Sequence, residues 1–154
     1  MKYYTHLLAG VLLYFLLLYF KIIEPNITLL MTIALGSLLP DIDHPNSYIN
    51  NQLRVTKPIG RTIRHRGFTH SIEFIILVSI LLKIIGVNTT IIFGLLIGII
   101  SHLIMDSITV SGVRWSYFLG KPHIKGPIRT GGTGENIIFV IMIFILVGIL
   151  YKSI

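Results

Sequence analysis

The chain alternates between long apolar runs and two long polar segments. The apolar runs are residues 3–20, 27–39, 72–85, 90–108 and 137–151, and the polar segments are residues 41–70 and 109–136. None of the apolar runs shows the alternation of apolar and polar positions that is typical of a half-buried strand. Because a segment in lipid must satisfy its own backbone hydrogen bonds, each run predicts a helix. Pro40 is expected to end the second helix.

The composition indicates that lipid is the solvent of these helices. Of the 154 residues, 53% are hydrophobic and only 12% are charged, and the mean hydropathy is +0.82, whereas a soluble domain carries roughly 25% charged residues. We therefore predict one integral membrane domain over residues 1–154, an all-α polytopic bundle of about five short transmembrane helices. Several runs are shorter than the roughly 20 residues of a full span, which predicts a recess with a polar metal-site face.

The basic residues predict an orientation. The net charge is +7, but most Lys and Arg residues lie in the two polar segments, so we expect lipid headgroups as their partner and do not expect nucleic acid. If all five runs span, one side carries Lys2, Arg54, Lys57, Arg61, Arg64, Arg66, Arg114, Lys121, Lys125 and Arg129, and the other carries Lys21, Lys83 and Lys152. This bias predicts a multi-pass protein of the cell membrane, with the N-terminus and long segments in the cytoplasm and the C-terminus outside.

Residues with metal-binding chemistry gather near the helix ends that an alternating bundle brings to one face. His123 and Glu24 are the clear exceptions among the histidines and acidic residues. The chain has no cysteine, so thiolate sites and disulfides are excluded. The predicted metal ligands are His6, Asp41, Asp43, His70, His102 and Asp106.

Two of these groups have an informative spacing. His102 and Asp106 are four residues apart, so they share one helical stripe and form a frequent half-site for a divalent metal. A polar pair in the bundle core is the alternative, although buried ionisable groups in membranes usually mark function. Asp41 and Asp43 lie in a segment bounded by prolines, where both carboxylates can converge on a cation; Asx capping of a turn would explain one of them.

The segment before the third apolar run adds candidate catalytic residues. Thr69 or Ser71 can cap the helix, which places His70 at its mouth. Arg66 could clamp an anionic group, or it could extend to the lipid headgroups. His65 is a candidate ligand or general acid/base.

A glycine-rich stretch, residues 130–135, opens the fifth run. Its backbone amides could cradle an anion, and a flexible linker is the alternative. Glu135 ends this stretch at the shared face and is a candidate for proton transfer.

Together, His6, residues 36–45, residues 65–71, residues 102–106 and residues 130–135 resemble the YdjM-like family of membrane-bound metal-dependent hydrolases over nearly the whole chain. More distantly, the order His, Asp, His and His-x-x-x-Asp resembles the ligand order of zinc-dependent phospholipase C. The later His-x-x-x-Glu pair of those enzymes is missing, and only Glu135 could replace it.

The resemblance implies a hydrolase that holds one or two divalent ions, with zinc expected, and that uses His65, Arg66 and Glu135 in catalysis. It implies a phosphoester substrate at the cytoplasmic membrane face, with phospholipids among the candidates. Two alternatives remain open at this stage, a non-enzymatic metal-binding or metal-transport protein and a structural membrane protein. Nothing in the sequence indicates an oligomeric state.

Overall fold

The computed structural model describes residues 1–44, 47–52 and 67–152, with the backbone alone for Tyr48 and Ile49. Its helices are α1 (Tyr3–Tyr19), α2 (Ile27–Gly36), α3 (Tyr48–Gln52), α4 (Ile72–Ile84), α5 (Thr89–Ser107) and α6 (Thr133–Lys152). Two 3-10 turns, Leu39–Asp43 and Phe68–His70, precede α3 and α4 respectively. Two short antiparallel strands, β1 (Val113–Arg114) and β2 (His123–Ile124), follow α5.

Each of the five apolar runs contains a helix, so the helical class is confirmed. The prediction of five spanning helices is not established. Within the described residues, only α5 and α6, with 19 and 20 residues, are long and apolar enough to cross a membrane, and α1 is shorter with 17. The second run ends as a helix at Gly36, before Pro40, which lies inside the following 3-10 turn.

Side-chain caps fix where three of the helices begin. Asn26 accepts a hydrogen bond from the Leu29 amide at the start of α2, and Ser71 accepts one from the Phe74 amide at the start of α4. Asn88 accepts one from the Thr90 amide before α5. These bonds satisfy amides that have no partner inside the helix.

The tightest packing in the molecule is between α2 and α5. Glycines on both helices bring the two backbones together, since a Cβ on Gly36 would collide with the carbonyl oxygen of Leu95, and a Cβ on Gly98 would collide with that of Ile33. Small residues permit this approach in membrane helices, where close packing replaces the hydrophobic effect as the driving force. The C-terminal half of α5 is thereby held against the end of α2.

Helix α1 lies against this pair and against α6. Ala9 and Leu12 pack with Met105 of α5 and Met142 of α6, while Tyr14 packs on α2. By contrast, α4 has no buried residue and most of α6 is exposed. Exposed helix faces that are apolar along their length fit a lipid environment.

The segment after α5 is an ordered ribbon, which the hydrophobic pattern did not predict. Val113 pairs with Ile124, and Arg114 pairs with His123. Val113 is buried against Ile99 and Leu103 of α5. The ribbon therefore covers the end of α5 at which His102 and Asp106 lie.

The glycine contact between α2 and α5 can be tested by Gly98→Ala. The new Cβ would lie 2.6 Å from the Ser37 nitrogen and would collide with the Ile33 carbonyl, so we expect a loss of stability of about 1–3 kcal/mol from overpacking. The measurement is the midpoint of thermal unfolding in detergent. Gly148→Ala is the matched control, because no described atom lies within 4 Å of its Cβ position. Equal midpoints for both variants would contradict the close packing.

Candidate metal centre

Four separate elements deliver the predicted metal ligands to one end of the bundle. His6 comes from the first turns of α1, Asp41 and Asp43 from the 3-10 turn after α2, and His70 from the 3-10 turn before α4. His102 and Asp106 come from the last two turns of α5. All are fully or almost fully buried except Asp41, which is 19% exposed.

The centre of the cluster is formed by two imidazole nitrogens and two carboxylate oxygens. Nε2 of His70 and Nε2 of His102 are 3.2 Å apart. Oδ1 of Asp41 lies 3.9 Å and 3.8 Å from these two nitrogens, and Oδ2 of Asp106 lies 3.8 Å and 3.9 Å from them. Each of the two carboxylate oxygens thus lies within 4 Å of both imidazole nitrogens, and His70, His102 and Asp106 together form one possible group of metal ligands.

The partners on the far side of each ring decide which nitrogen faces the centre of the cluster. Nδ1 of His102 lies 2.8 Å from the carbonyl oxygen of Ser37, which can only accept, so this nitrogen carries the hydrogen. Nδ1 of His70 lies 3.1 Å from Oδ2 of Asp43 and donates to that carboxylate. In the neutral rings, both Nε2 atoms therefore present lone pairs towards each other and towards two carboxylates, an arrangement that attracts a cation.

The spacing of these atoms fits a small divalent ion. In a tetrahedral zinc site with bonds of about 2.0–2.1 Å, neighbouring ligand atoms lie about 3.3 Å apart. The separations among Nε2 of His70, Nε2 of His102 and Oδ2 of Asp106 are 3.2–3.9 Å, and these three residues form one possible group of metal ligands. The hydrogen bonds behind both rings are also those that orient histidine ligands in metalloproteins.

Asp106 divides its two oxygens between different partners. Oδ2 faces the two imidazoles, whereas Oδ1 lies 2.6 Å from the amino group of Met1 and 3.4 Å from Nε2 of His6. The His6 ring stacks on His102 with 3.7 Å between centroids. Neither nitrogen of His6 has a hydrogen-bond partner among the described residues. A buried imidazole without a partner in the protein is a candidate to bind an ion or a water. His6 also forms a further group of possible metal ligands with Asp41 and His102.

Asp43 is both a possible metal ligand and a hydrogen-bond partner of His70. One of its oxygens can join Asp41 and His70 in a group of possible metal ligands. Its Oδ2, however, accepts hydrogen bonds from the Thr69 hydroxyl at 2.5 Å and from His70 Nδ1. These contacts make Asp43 the group that orients His70, a carboxylate–histidine pair of the kind that supports metal sites.

Glu135 is buried and both of its carboxylate oxygens accept hydrogen bonds, while its predicted role in proton transfer stays a prediction. Its Oε1 accepts hydrogen bonds from the Lys2 amide at 2.7 Å and the Thr5 hydroxyl at 2.8 Å, and its Oε2 accepts one from the Gly131 amide at 2.6 Å. It belongs to none of the possible ligand groups that the described residues form. The hydrogen bonds from the Lys2 amide and the Thr5 hydroxyl connect Glu135, at the start of α6, to the first turn of α1.

Hydrogen bonds within the chain also engage two backbone amides of the glycine-rich stretch, residues 130–135, which was predicted to cradle an anion. The Gly131 amide donates to Glu135, and the Gly132 amide donates to the carbonyl of Arg129. These two amides are engaged inside the chain, so neither of them is available to an anion.

The remaining candidates lie elsewhere. His65 and Arg66 are outside the described residues, so their predicted roles stay predictions. His123 is exposed on the ribbon, where its Nε2 lies 3.2 Å from the carbonyl oxygen of Ser111. Glu73 accepts hydrogen bonds from Ser116 and Tyr117 and faces the segment after α5.

Sequence reasoning missed the partners that orient the ligands. The Ser37 carbonyl behind His102 is a backbone group, and no side-chain pattern indicates it. The sequence allows either Thr69 or Ser71 to cap α4. In the structure Ser71 caps the helix, and the Thr69 hydroxyl donates a hydrogen bond to Asp43. The contact of the Met1 amino group with Asp106 joins positions that are 105 residues apart.

Metal binding can be measured on protein purified without added ions. His102→Ala and Asp106→Asn should each lower the metal content sharply, because each removes or neutralises one of the four central atoms. His123→Ala is the matched control and should retain the metal of the unaltered protein. Asp43→Asn should weaken affinity by about 10- to 100-fold through loss of the orienting carboxylate. Equal metal content in all variants, measured by mass spectrometry, would contradict the centre.

Comparisons with known proteins agree with this membrane architecture. Residues 1–153 match the model of the family described as YdjM inner membrane protein. The chain is 38% identical over 97 residues to Inner membrane protein YdjM of Escherichia coli (strain K12) and to its counterpart in Shigella flexneri; the match covers 55% of this chain and about half the length of each relative. The Uncharacterized protein YvsG of Bacillus subtilis (strain 168) is 29% identical over 137 residues, which cover 87% of this chain and 84% of that protein.

No solved structure matches the chain significantly. The family match extends over all the residues of the candidate metal centre, from His6 to Asp106. The chain belongs to the YdjM family of inner membrane proteins.

Proposed function

We propose that the protein is a membrane-embedded metal-dependent hydrolase that acts on a phosphoester, with phospholipids among the candidate substrates. The observation that supports this most strongly is the convergence of two histidine nitrogens and two carboxylate oxygens at one end of the bundle. Asp41 is the partly exposed member of that set. A centre whose candidate ligands are buried except for one partly exposed carboxylate resembles a catalytic metal site, which keeps one position open, more than a closed structural site.

The proposed ligands are Asp41, His70, His102 and Asp106, with His6 available for a second ion, and zinc is the expected metal. Bound there, a divalent ion would act as a Lewis acid on a phosphoryl oxygen and would acidify water. The chain's own residues have the supporting tasks. Asp43 holds the proton on Nδ1 of His70, and the Ser37 carbonyl holds the one on Nδ1 of His102, so both rings keep Nε2 available.

The proposal also gives roles to Arg66 and His65, and these two roles rest on the sequence alone. Arg66 would bind the phosphate group through two parallel hydrogen bonds, which a planar guanidinium can make. His65 would accept or donate a proton during hydrolysis.

The position of the polar residues favours hydrolysis over transport. A transport path would need ligands along the length of the bundle. In α5, the buried residues of the first half are Ile92, Gly94, Gly98 and Ile99, and the ionisable ones occupy only the last two turns. The described ligands are thus confined to one end of the molecule.

Activity can be tested with the full chain in detergent or lipid vesicles. We expect hydrolysis of a generic phosphodiester or a phospholipid, its loss on adding a chelator, and its recovery with zinc or manganese. Asp43→Asn should be folded but about 10- to 100-fold less active, because the shape is kept and the charge that orients His70 is lost. Arg66→Lys should be impaired, since an ammonium cannot make the paired contact.

Two outcomes would replace this proposal. Cleavage of a peptide or amide bond, with no turnover of phosphoesters in a broad screen, would retain a hydrolase with another substrate. If metal-loaded protein cleaves nothing and Asp43→Asn leaves the cellular phenotype unchanged, a non-enzymatic metal-binding protein becomes the better explanation.

We also propose that the chain crosses the membrane several times, with the metal-centre end in the cytoplasm, on the basis of the ten-to-three excess of basic residues on that side. Single cysteines are clean probes because the chain has none. Ser111→Cys should be protected from an impermeant thiol reagent added outside cells, whereas Thr89→Cys should react; both positions are exposed. The reverse labelling would invert the orientation.

A further inference from the structure

An apolar tip projects from the ribbon after α5. Tyr117, Phe118 and Leu119, which we call the 117–119 tip, are 52%, 78% and 80% exposed. Three consecutive large apolar side chains at this exposure are unfavourable in water. Neither the metal centre nor the bundle core accounts for them.

The tip is fixed in place by hydrogen bonds on its N-terminal side. The amide of Ile72, the first residue of α4, donates to the Trp115 carbonyl at 2.9 Å. Glu73 accepts hydrogen bonds from the Ser116 hydroxyl at 2.5 Å and the Tyr117 amide at 3.0 Å. The Trp115 indole donates to the Ser107 hydroxyl at the end of α5. The tip is therefore held beside the first turn of α4.

The position of α4 defines what surrounds the tip. Helix α4 has no buried residue, and its exposed side chains include Ile76, Ile80 and Ile84, so in this membrane protein its surface lies in hydrocarbon. The first turn of α4, with the charged Glu73, then marks the boundary between hydrocarbon and headgroups. Aromatic residues are enriched at that depth, and basic side chains such as those of Arg114 and Lys121, which are both exposed, reach from it towards phosphates.

The tip is also connected to the metal centre. The Tyr117 ring packs edge-on against Phe68, with 5.7 Å between centroids. Phe68 begins the 3-10 turn that ends in His70. The 3-10 turn Phe68–His70 therefore contacts the tip through Phe68 and supplies the imidazole of His70 to the candidate metal centre.

We propose that the 117–119 tip inserts into the lipid leaflet at the metal-centre end of the molecule, and that this contact selects a phosphoester lipid in that leaflet over a soluble phosphoester. The insertion rests on the exposure, composition and placement of the tip. The substrate selection rests in addition on the proposed hydrolase function.

Insertion can be measured without any activity. Phe118→Cys is labelled with an environment-sensitive fluorophore, and the protein is placed in vesicles of phosphatidylcholine and phosphatidylglycerol. We expect a blue-shifted emission that is quenched by a nitroxide on the lipid acyl chains and is protected from aqueous iodide. A label at Ile80→Cys on α4 is the lipid-facing control, and one at Lys125→Cys, which is exposed on the ribbon, is the water-facing control.

Two results would overturn the insertion. Emission and iodide quenching equal to those at Lys125→Cys would place the tip in water. Protection from both quenchers would mean that protein covers the tip, either a partner or a second copy of this chain.

Substrate selection has its own measurement. Phe118→Ser should reduce hydrolysis of a phospholipid in vesicles by about tenfold, while hydrolysis of a soluble nitrophenyl phosphodiester stays unchanged, because the Phe118 side chain is 78% exposed on the ribbon. An equal loss on both substrates, or no loss on either, would overturn the selection. If the unaltered protein hydrolyses neither substrate, the proposed function and the selection built on it are both wrong, whereas the quenching experiment still decides the insertion.

Discussion

The hydrogen bond from His102 Nδ1 to the Ser37 carbonyl joins the packing of the bundle to the chemistry of its polar end. Ser37 follows the last residue of α2, and its carbonyl is within reach of α5 because Gly36 and Gly98 let the two backbones approach. The bond fixes the tautomer and the direction of the His102 ring. A wider separation of α2 and α5 would release that ring, and with it one of the four atoms at the centre.

The other ligands are held by similar arrangements, in which a buried polar group has a partner that leaves the central atom available. Asp43 and Thr69 hold His70, and the Met1 amino group holds the outer oxygen of Asp106. In a protein interior, polar groups are costly unless they are paired. His70, His102 and Asp106 meet this condition on their outer sides, whereas neither nitrogen of His6 has a hydrogen-bond partner among the described residues, and the lone pairs directed inwards would attract a cation.

The sequence predicted the helices, and it predicted that the candidate ligands meet at one end of the bundle, because both rest on periodic or strongly local signals. The five apolar runs mark the helices, and the spacing of His102 and Asp106 places them on one stripe. The ribbon at Val113 and Ile124 was not predicted, since strands of two residues leave no measurable alternation. The hydrogen bonds of Glu135 were also not predicted, since two of its three donors, the Lys2 amide and the Thr5 hydroxyl, are brought near it only in the folded chain.

Helix α4 is 13 residues long, so its length is about 20 Å, whereas the hydrocarbon layer of a bilayer is about 30 Å thick. Charged residues, Glu73 and Lys83, lie near its two ends. If α4 crosses the bilayer, acyl chains around this short and largely apolar helix would tilt or shorten, and the bilayer would thin to reduce the hydrophobic mismatch. A leaflet drawn inwards on this side would carry its headgroups towards the level of His70, which lies two residues before α4. The protein would then compress the bilayer locally beside its candidate metal centre.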